Sequence, residues 1–180
     1  MSKYEEALQV ATRAHHGQTR KNSTEPYIEH PKRVANLLER AKFREEVVIA
    51  GLLHDVVEDS ETIMEEIRAQ FGDDITDIVA AHTEDKSLSW EDRKQHTIET
   101  VRRAPFEVKA LIVADKLDNL QSVKKQYDEI GEDVWAAFKR GKEQQSWYNR
   151  SIVEALGVHE DEPAYFQEYR ELVQSFFSLN

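Results

Sequence analysis

The chain has 180 residues, 39% hydrophobic and 33% charged, with 6 Gly, 4 Pro and no Cys; this balance describes one compact, helix-rich domain over residues 1–180 and excludes a disordered, fibrous or disulfide-built protein. Without thiols, any metal must be held by nitrogen and oxygen ligands. A formal net charge of −11 argues against long nucleic acids and anionic membranes, whose binding depends on many local cations, but leaves open a small phosphorylated ligand met by a metal and a few cations.

In chain order, apolar spacing predicts helices over Tyr4–His16, Pro31–Lys42, Arg44–Val57, Glu61–Phe71, Asp74–His82, Ser89–Arg103, Phe106–Glu129, Asp133–Leu156 and Glu162–Phe177. No β-branched alternation suggests a strand, so the expected fold class is all-α. Pro31 suits a first helical turn, Ser60 a helix cap, and Gly72 and Gly131 helix ends. The N-terminus MSKYEEALQV is an acidic amphipathic helix start without a signal-peptide core, and no run of 18 apolar residues occurs; the expected compartment is the cytoplasm. The polar, basic stretch GQTRKNSTEPYIE before His30 is an irregular loop of the kind that holds ligands.

Two helices break the rule that apolar runs exclude charge. VVIAGLLHDVVEDS sets His54 and Asp55 in an apolar stretch, and ALIVADKLDNL does the same to Asp115, with Asn119 one turn on. An unpaired carboxylate in an apolar interior costs several kcal/mol, on the order of the whole stability of many domains, so these acids need a cation or a partner. Glu58 and Asp59 follow His54 and Asp55 at four-residue spacing and belong on the same wall. Two imidazoles and two carboxylates suit a first-row transition metal with positions left for water and substrate.

The plainer readings are a surface His-Asp pair, a helix-entry histidine at His30, solvated acids at Glu58 and Asp59, and a solvated pair at Arg20 and Lys21. His15, His16, His82, His96 and His159 lack a carboxylate in an apolar run and are read as structural or surface residues. The tryptophans and the WYNR stretch at Trp147 and Tyr148 are read as core, with base stacking as the alternative. Lys94, Arg140 and Lys142 fit a pocket border and a solvated helix face equally well and are left unassigned.

Taken together, HHGQTRK, PYIEHP, GLLHDVVEDS, FGDDI, HTEDK and ADKLDNL, in that order over residues 14–122, resemble the HD superfamily of metal-dependent phosphohydrolases. Within it they are most similar to the hydrolase domain of RelA/SpoT proteins and the small stand-alone alarmone hydrolases. The resemblance implies a single helical domain, completed by C-terminal helices over 132–178. It implies hydrolysis of the 3′-pyrophosphate of guanosine tetra- or pentaphosphate, with a divalent metal, manganese by preference. His30, His54, Asp55 and Asp115 correspond to the metal ligands and Glu58 and Asp59 to the acids that orient or deprotonate water. Arg20 and Lys21 correspond to the phosphate-binding pair, and Asn119 to an amide near the nucleotide. The length leaves no room for the family's synthesising domain, so hydrolysis alone is expected. Val56 and Ser60 stand where threonines are common, and RGKEQQSWYNRSIVEAL departs from the standard ending, leaving the base pocket unassigned. An HD-type nucleotidase or other phosphohydrolase, a non-catalytic nucleotide sensor and a metal-free helical module are the competing readings.

Overall fold

The structure, a computed structural model, describes residues 1–178; the last two residues of the expected 1–180 domain lie outside the described residues. It is helical throughout. Helices α1 (Lys3–Ala14), α2 (Glu29–Arg40), α3 (Glu45–Leu53) and α4 (Val56–Asp59) are followed by α5 (Met64–Phe71) and α6 (Asp73–His82). Helices α7 (Trp90–Arg103) and α8 (Phe106–Ile130), a 3-10 segment (Gly131–Ala137), α9 (Lys142–Leu156) and α10 (Ala164–Phe177) complete the described chain. An isolated antiparallel bridge between Thr19 and Pro26 closes the predicted loop on itself.

Helix α3 is the central post. All seven residues from Val47 to Leu53 are buried, as expected of a helix that is apolar on every side. Its β-branched residues each lower helix propensity by at most about 0.7 kcal/mol, whereas burying such a side chain contributes roughly 1.5–3 kcal/mol, so packing decides the conformation. Around α3 stand α1, α2, α6 and α8. Helix α8, 25 residues long, buries Val108 to Leu117 along its first half except for Lys116 and carries the chain from this cluster to α10 and the 3-10 segment. Helix α9 packs on α7 and α10, where the Tyr169 hydroxyl donates to Asn149 Oδ1 at 2.8 Å. At the other end, Ser2 and Glu5 form a reciprocal capping box on α1.

Three expected elements differ. The predicted helix over 44–57 is two helices with His54 and Asp55 between them. His54 Nδ1 takes the Gly51 carbonyl at 2.7 Å, a carbonyl that a continuing helix would offer to the Asp55 N–H, and the chain turns there. Ser60 does not cap the helix that follows: it ends α4, where its hydroxyl donates to the Val56 carbonyl and accepts from the Thr62 N–H, while α5 starts at Met64 with Glu66 accepting the Ile63 N–H at 2.9 Å. The predicted helix over 133–156 is a 3-10 turn, an extended Phe138 and a separate α9 entered from Gly141. Phe138 stacks on Trp135 at 5.8 Å, and that aromatic contact, with the poor helix propensity of Gly141, holds the segment out of helical register. Gly72 and Gly131 do end helices, with φ of 88° and 63°, the left-handed region that favours glycine.

Candidate metal and phosphate site

The long irregular loop delivers Tyr27 and His30 to the start of α2, the break after α3 delivers His54 and Asp55, and α8 delivers Asp115, Asp118 and Asn119. One ligand atom from each of His30, His54, Asp55 and Asp115 lies within 4.8 Å of all the others. His30 Nε2 is 2.8 Å from Asp115 Oδ1 and 3.6 Å from Asp55 Oδ2. His54 Nε2 is 3.1 Å from both.

The tautomers follow from what holds the other ring nitrogens. His54 Nδ1 faces a carbonyl oxygen and His30 Nδ1 faces Asp118 Oδ2 at 2.6 Å. Both partners only accept, so both Nδ1 atoms carry protons. In the neutral rings both Nε2 lone pairs then point at two carboxylates. Four acceptors converge with no donor among them, an arrangement that a divalent cation satisfies and that fits the oriented imidazole ligands of metal sites. In place of a cation, the same field draws a proton onto an imidazole. Burial works against charge on His54, but Asp55 and Asp115 outweigh it and hold the imidazole well above its ordinary value. Asp115 is held well below the usual carboxylate range despite burial, by Lys116 and both imidazoles, and Asp55 is likewise lowered against burial, chiefly by His54. Tyr27 donates to Asp55 Oδ2 at 2.6 Å.

Through Asp55, Tyr27 and Lys116 the cluster adjoins a cavity of about 910 Å³, within the size range of small-ligand sites. Glu58 and Asp59 line it next to Asp55. Burial, partly offset by the Glu84 N–H and reinforced by Asp55, pushes the Glu58 carboxyl up to about 7. Burial and Asp55 also raise Asp59, whose carbonyl accepts from Gln18 Nε2 at 2.7 Å. The Glu84 N–H donates to Glu58 and the Lys86 ammonium to the Glu58 carbonyl, so the HTEDK loop grips the acidic turn. Arg20 Nη2 donates to Asn119 Oδ1 at 2.7 Å, and Asn119 Nδ2 to Asp115 Oδ1 at 3.2 Å. Lys21 sits over the Phe138 ring at 4.5 Å; burial, then Arg20 and Lys139, pull its pKa down.

All nine residues singled out in the sequence therefore meet at one cluster and the cavity beside it. Four others at the cluster were not singled out: Tyr27, Asp118, Glu84 and Lys116. Asp118 had a visible signal, a second acid three residues after Asp115 on the same helix face. Lys94, left unassigned, lines the cavity and bonds Glu84 Oε1 at 2.8 Å. Trp90, Trp135 and Tyr148 are buried as expected, whereas Trp147 is 40% exposed and is not core: it lies on the outer side of Trp90 at 6.2 Å.

Comparison with known proteins shows the family. The HD domain family pattern matches residues 7–143. A Drosophila melanogaster protein described as guanosine-3′,5′-bis(diphosphate) 3′-pyrophosphohydrolase MESH1 is 39% identical over 125 residues, 68% of this chain and 70% of its own. Its Danio rerio namesake is 34% identical over 157 residues, 86% of this chain and 84% of that one. Among solved structures, the Listeria monocytogenes EGD-e protein lmo0812 superposes with a TM-score of 0.79 at 55% identity, covering 83% of this chain and 99% of that one. A metazoan ortholog of SpoT, described as hydrolysing ppGpp with a role in starvation responses, superposes with a TM-score of 0.82 at 29% identity, covering 98% and 96%.

Proposed function

Because the chain belongs to the HD domain family, we propose that it is a metal-dependent guanosine-3′,5′-bis(diphosphate) 3′-pyrophosphohydrolase. The observation that carries this reading is the convergence of four metal-type ligand atoms within 4.8 Å on a cavity that also holds two raised acids and the Arg20-Lys21 pair. His30, His54, Asp55 and Asp115 would hold the ion; the mixed imidazole and carboxylate set suits manganese, iron, cobalt or zinc, and the resemblance to the RelA/SpoT hydrolases favours manganese. A divalent cation there supplies Lewis acidity toward a phosphoryl oxygen and makes water more acidic.

The protein's own residues do the rest. Glu58, poised near neutrality, accepts a proton from water as its oxygen attacks the phosphorus on the ribose 3′ oxygen. Asp59 orients that water from the adjacent position. The P–O3′ bond breaks, the 3′ oxygen takes up a proton, and GDP and pyrophosphate leave. Arg20 and Lys21 neutralise phosphate charge in a cavity where burial first, and then the neighbouring Arg20 and Lys139, lower the pKa of Lys21. Asn119 ties Arg20 to Asp115 and so aligns the nucleotide with the metal cluster. No described helix is long and apolar enough to cross a membrane; a small nucleotide substrate and a cytoplasmic location complete the reading, with neither long nucleic acid nor membrane as a partner.

The test is product analysis of manganese-loaded protein with guanosine tetraphosphate, beside a panel of nucleoside monophosphates. Pyrophosphate and GDP are the expected products. Orthophosphate released from monophosphates alone would keep the metal site and overturn the substrate.

A further inference from the structure

A second group of cations lines the cavity from α7 and α8. Lys94 Nζ lies 5.1 Å from the Tyr148 ring centre and Lys116 Nζ lies 5.4 Å from it. Each ammonium meets a carboxylate, Glu84 for Lys94 at 2.8 Å and Asp115 for Lys116 at 3.0 Å, and an ammonium has three donors to place.

Tyr148 itself is the anomaly. It stands on α9, is 4% exposed and lines the cavity, yet its buried hydroxyl has no hydrogen-bond partner among the described residues. The fold pairs other buried phenols: Tyr165 donates to the Ala110 carbonyl at 2.7 Å and Tyr169 to Asn149 at 2.8 Å. An unpaired buried hydroxyl is destabilising, and phenylalanine would fill the same space without that penalty. An unpaired donor on a cavity-lining ring that has two ammonium groups within 5.4 Å of its centre is what an anionic ligand would pair.

We propose that the Tyr148 hydroxyl, Lys94 and Lys116 form an anion subsite for the outer phosphate of the 3′-pyrophosphoryl group, an assignment that rests on the pyrophosphohydrolase reading. The neighbours select that end of the substrate. Lys116 bonds Asp115 of the metal cluster, and Glu84, the partner of Lys94, holds Glu58 through its N–H, so this corner adjoins the reacting phosphorus. Lys21 instead lies over Phe138, which stacks on Trp135, a wall suited to the nucleoside and its 5′-diphosphate. A substrate with a single 3′-phosphate would leave the Tyr148 hydroxyl unpaired, so the subsite selects for the pyrophosphoryl group.

The experiment is calorimetric titration of inorganic pyrophosphate into manganese-loaded protein saturated with GDP, in wild type and Tyr148→Phe, with a parallel GDP titration. Loss of one charge-assisted hydrogen bond predicts pyrophosphate binding weakened about tenfold and GDP binding unchanged. Equal pyrophosphate affinity in the two proteins, or equal weakening toward both ligands, overturns the subsite. Thermal melting verifies that the variant is folded; should it not be, Lys94→Gln is titrated in its place, with the same two outcomes. Because binding is read without turnover, a wild type that leaves guanosine tetraphosphate intact overturns the proposed activity alone, while the titration still decides the subsite.

Discussion

Asp118→Asn tests the logic of the metal cluster at a residue that would not itself hold the ion but supports one that would. In the wild type, Asp118 Oδ2 accepts from His30 Nδ1 at 2.6 Å and Oδ1 accepts from Arg33 Nε at 2.7 Å. Asparagine keeps the shape and can still accept from Arg33 through its oxygen. Its amide nitrogen then faces His30 Nδ1, donor against donor, unless the imidazole moves its proton to Nε2. That tautomer aims a proton at Asp115 and Asp55 and removes the lone pair needed to bind a cation. Loss of such a supporting partner lowers metal affinity by about 10–100-fold, or about 1.4–2.7 kcal/mol. Stability should change less, because the buried Asp118 is replaced by a group that still accepts from Arg33, and Arg33, 39% exposed, keeps its pairing to Glu25, so no buried charge is left without a partner. Competitive manganese titration and thermal unfolding of the metal-free proteins read the two quantities separately. Unchanged manganese affinity in a folded variant would refute the tautomer argument, as would a loss of stability as large as the loss of affinity.

Asp55→Ala removes a ligand and the acceptor of Tyr27, and after dialysis the purified variant should hold no stoichiometric metal by elemental analysis and show no turnover. Glu58→Gln should retain metal while kcat falls about 10²–10⁴-fold, the usual contribution of a general base; full activity would remove Glu58 from the mechanism. A base must be ionised, so a carboxyl raised to about 7 predicts that kcat/KM falls as pH drops through about 7, or through a lower value once a neighbouring divalent cation favours the carboxylate. A limb above 7, or an unchanged limb in the residual activity of Glu58→Gln, contradicts the assignment. At Gly51 an added Cβ would lie 2.9 Å from Leu38 Cδ1 and 3.4 Å from Ala35 Cα. Overpacking of about 1–3 kcal/mol outweighs the gain of up to about 1 kcal/mol in helix propensity, so Gly51→Ala should lower the melting temperature by a few degrees, and an increase would show that α2 and α3 can part without strain.

The sequence by itself determined the helical class and singled out His54, Asp55 and Asp115 with the acids beside them, because each rests on a local contradiction; His30 joined them only through the neighbouring motifs. His54 with Asp55, and Asp115, are polar groups inside runs that only a core can use, and the price of burying them unpaired demands a cation or a partner wherever the rest of the chain goes. The spacing of Asn119 from Asp115 was legible for the same local reason. Tertiary structure alone decided what happens between segments distant in sequence. His30 and Asp118 are 88 residues apart, and only the packing of α2 on α8 turns an acid that was not singled out into the group fixing a tautomer. The break after Leu53 depends on the His54 ring reaching back to a carbonyl, a rotamer choice that apolar periodicity does not encode. Lys94, Lys116 and Tyr148 come from three helices and look like solvated or core positions one at a time. Their meeting on one cavity wall, with the hydroxyl left unpaired, follows from how α7, α8 and α9 close together, because a vacancy for a ligand is a property of several surfaces at once.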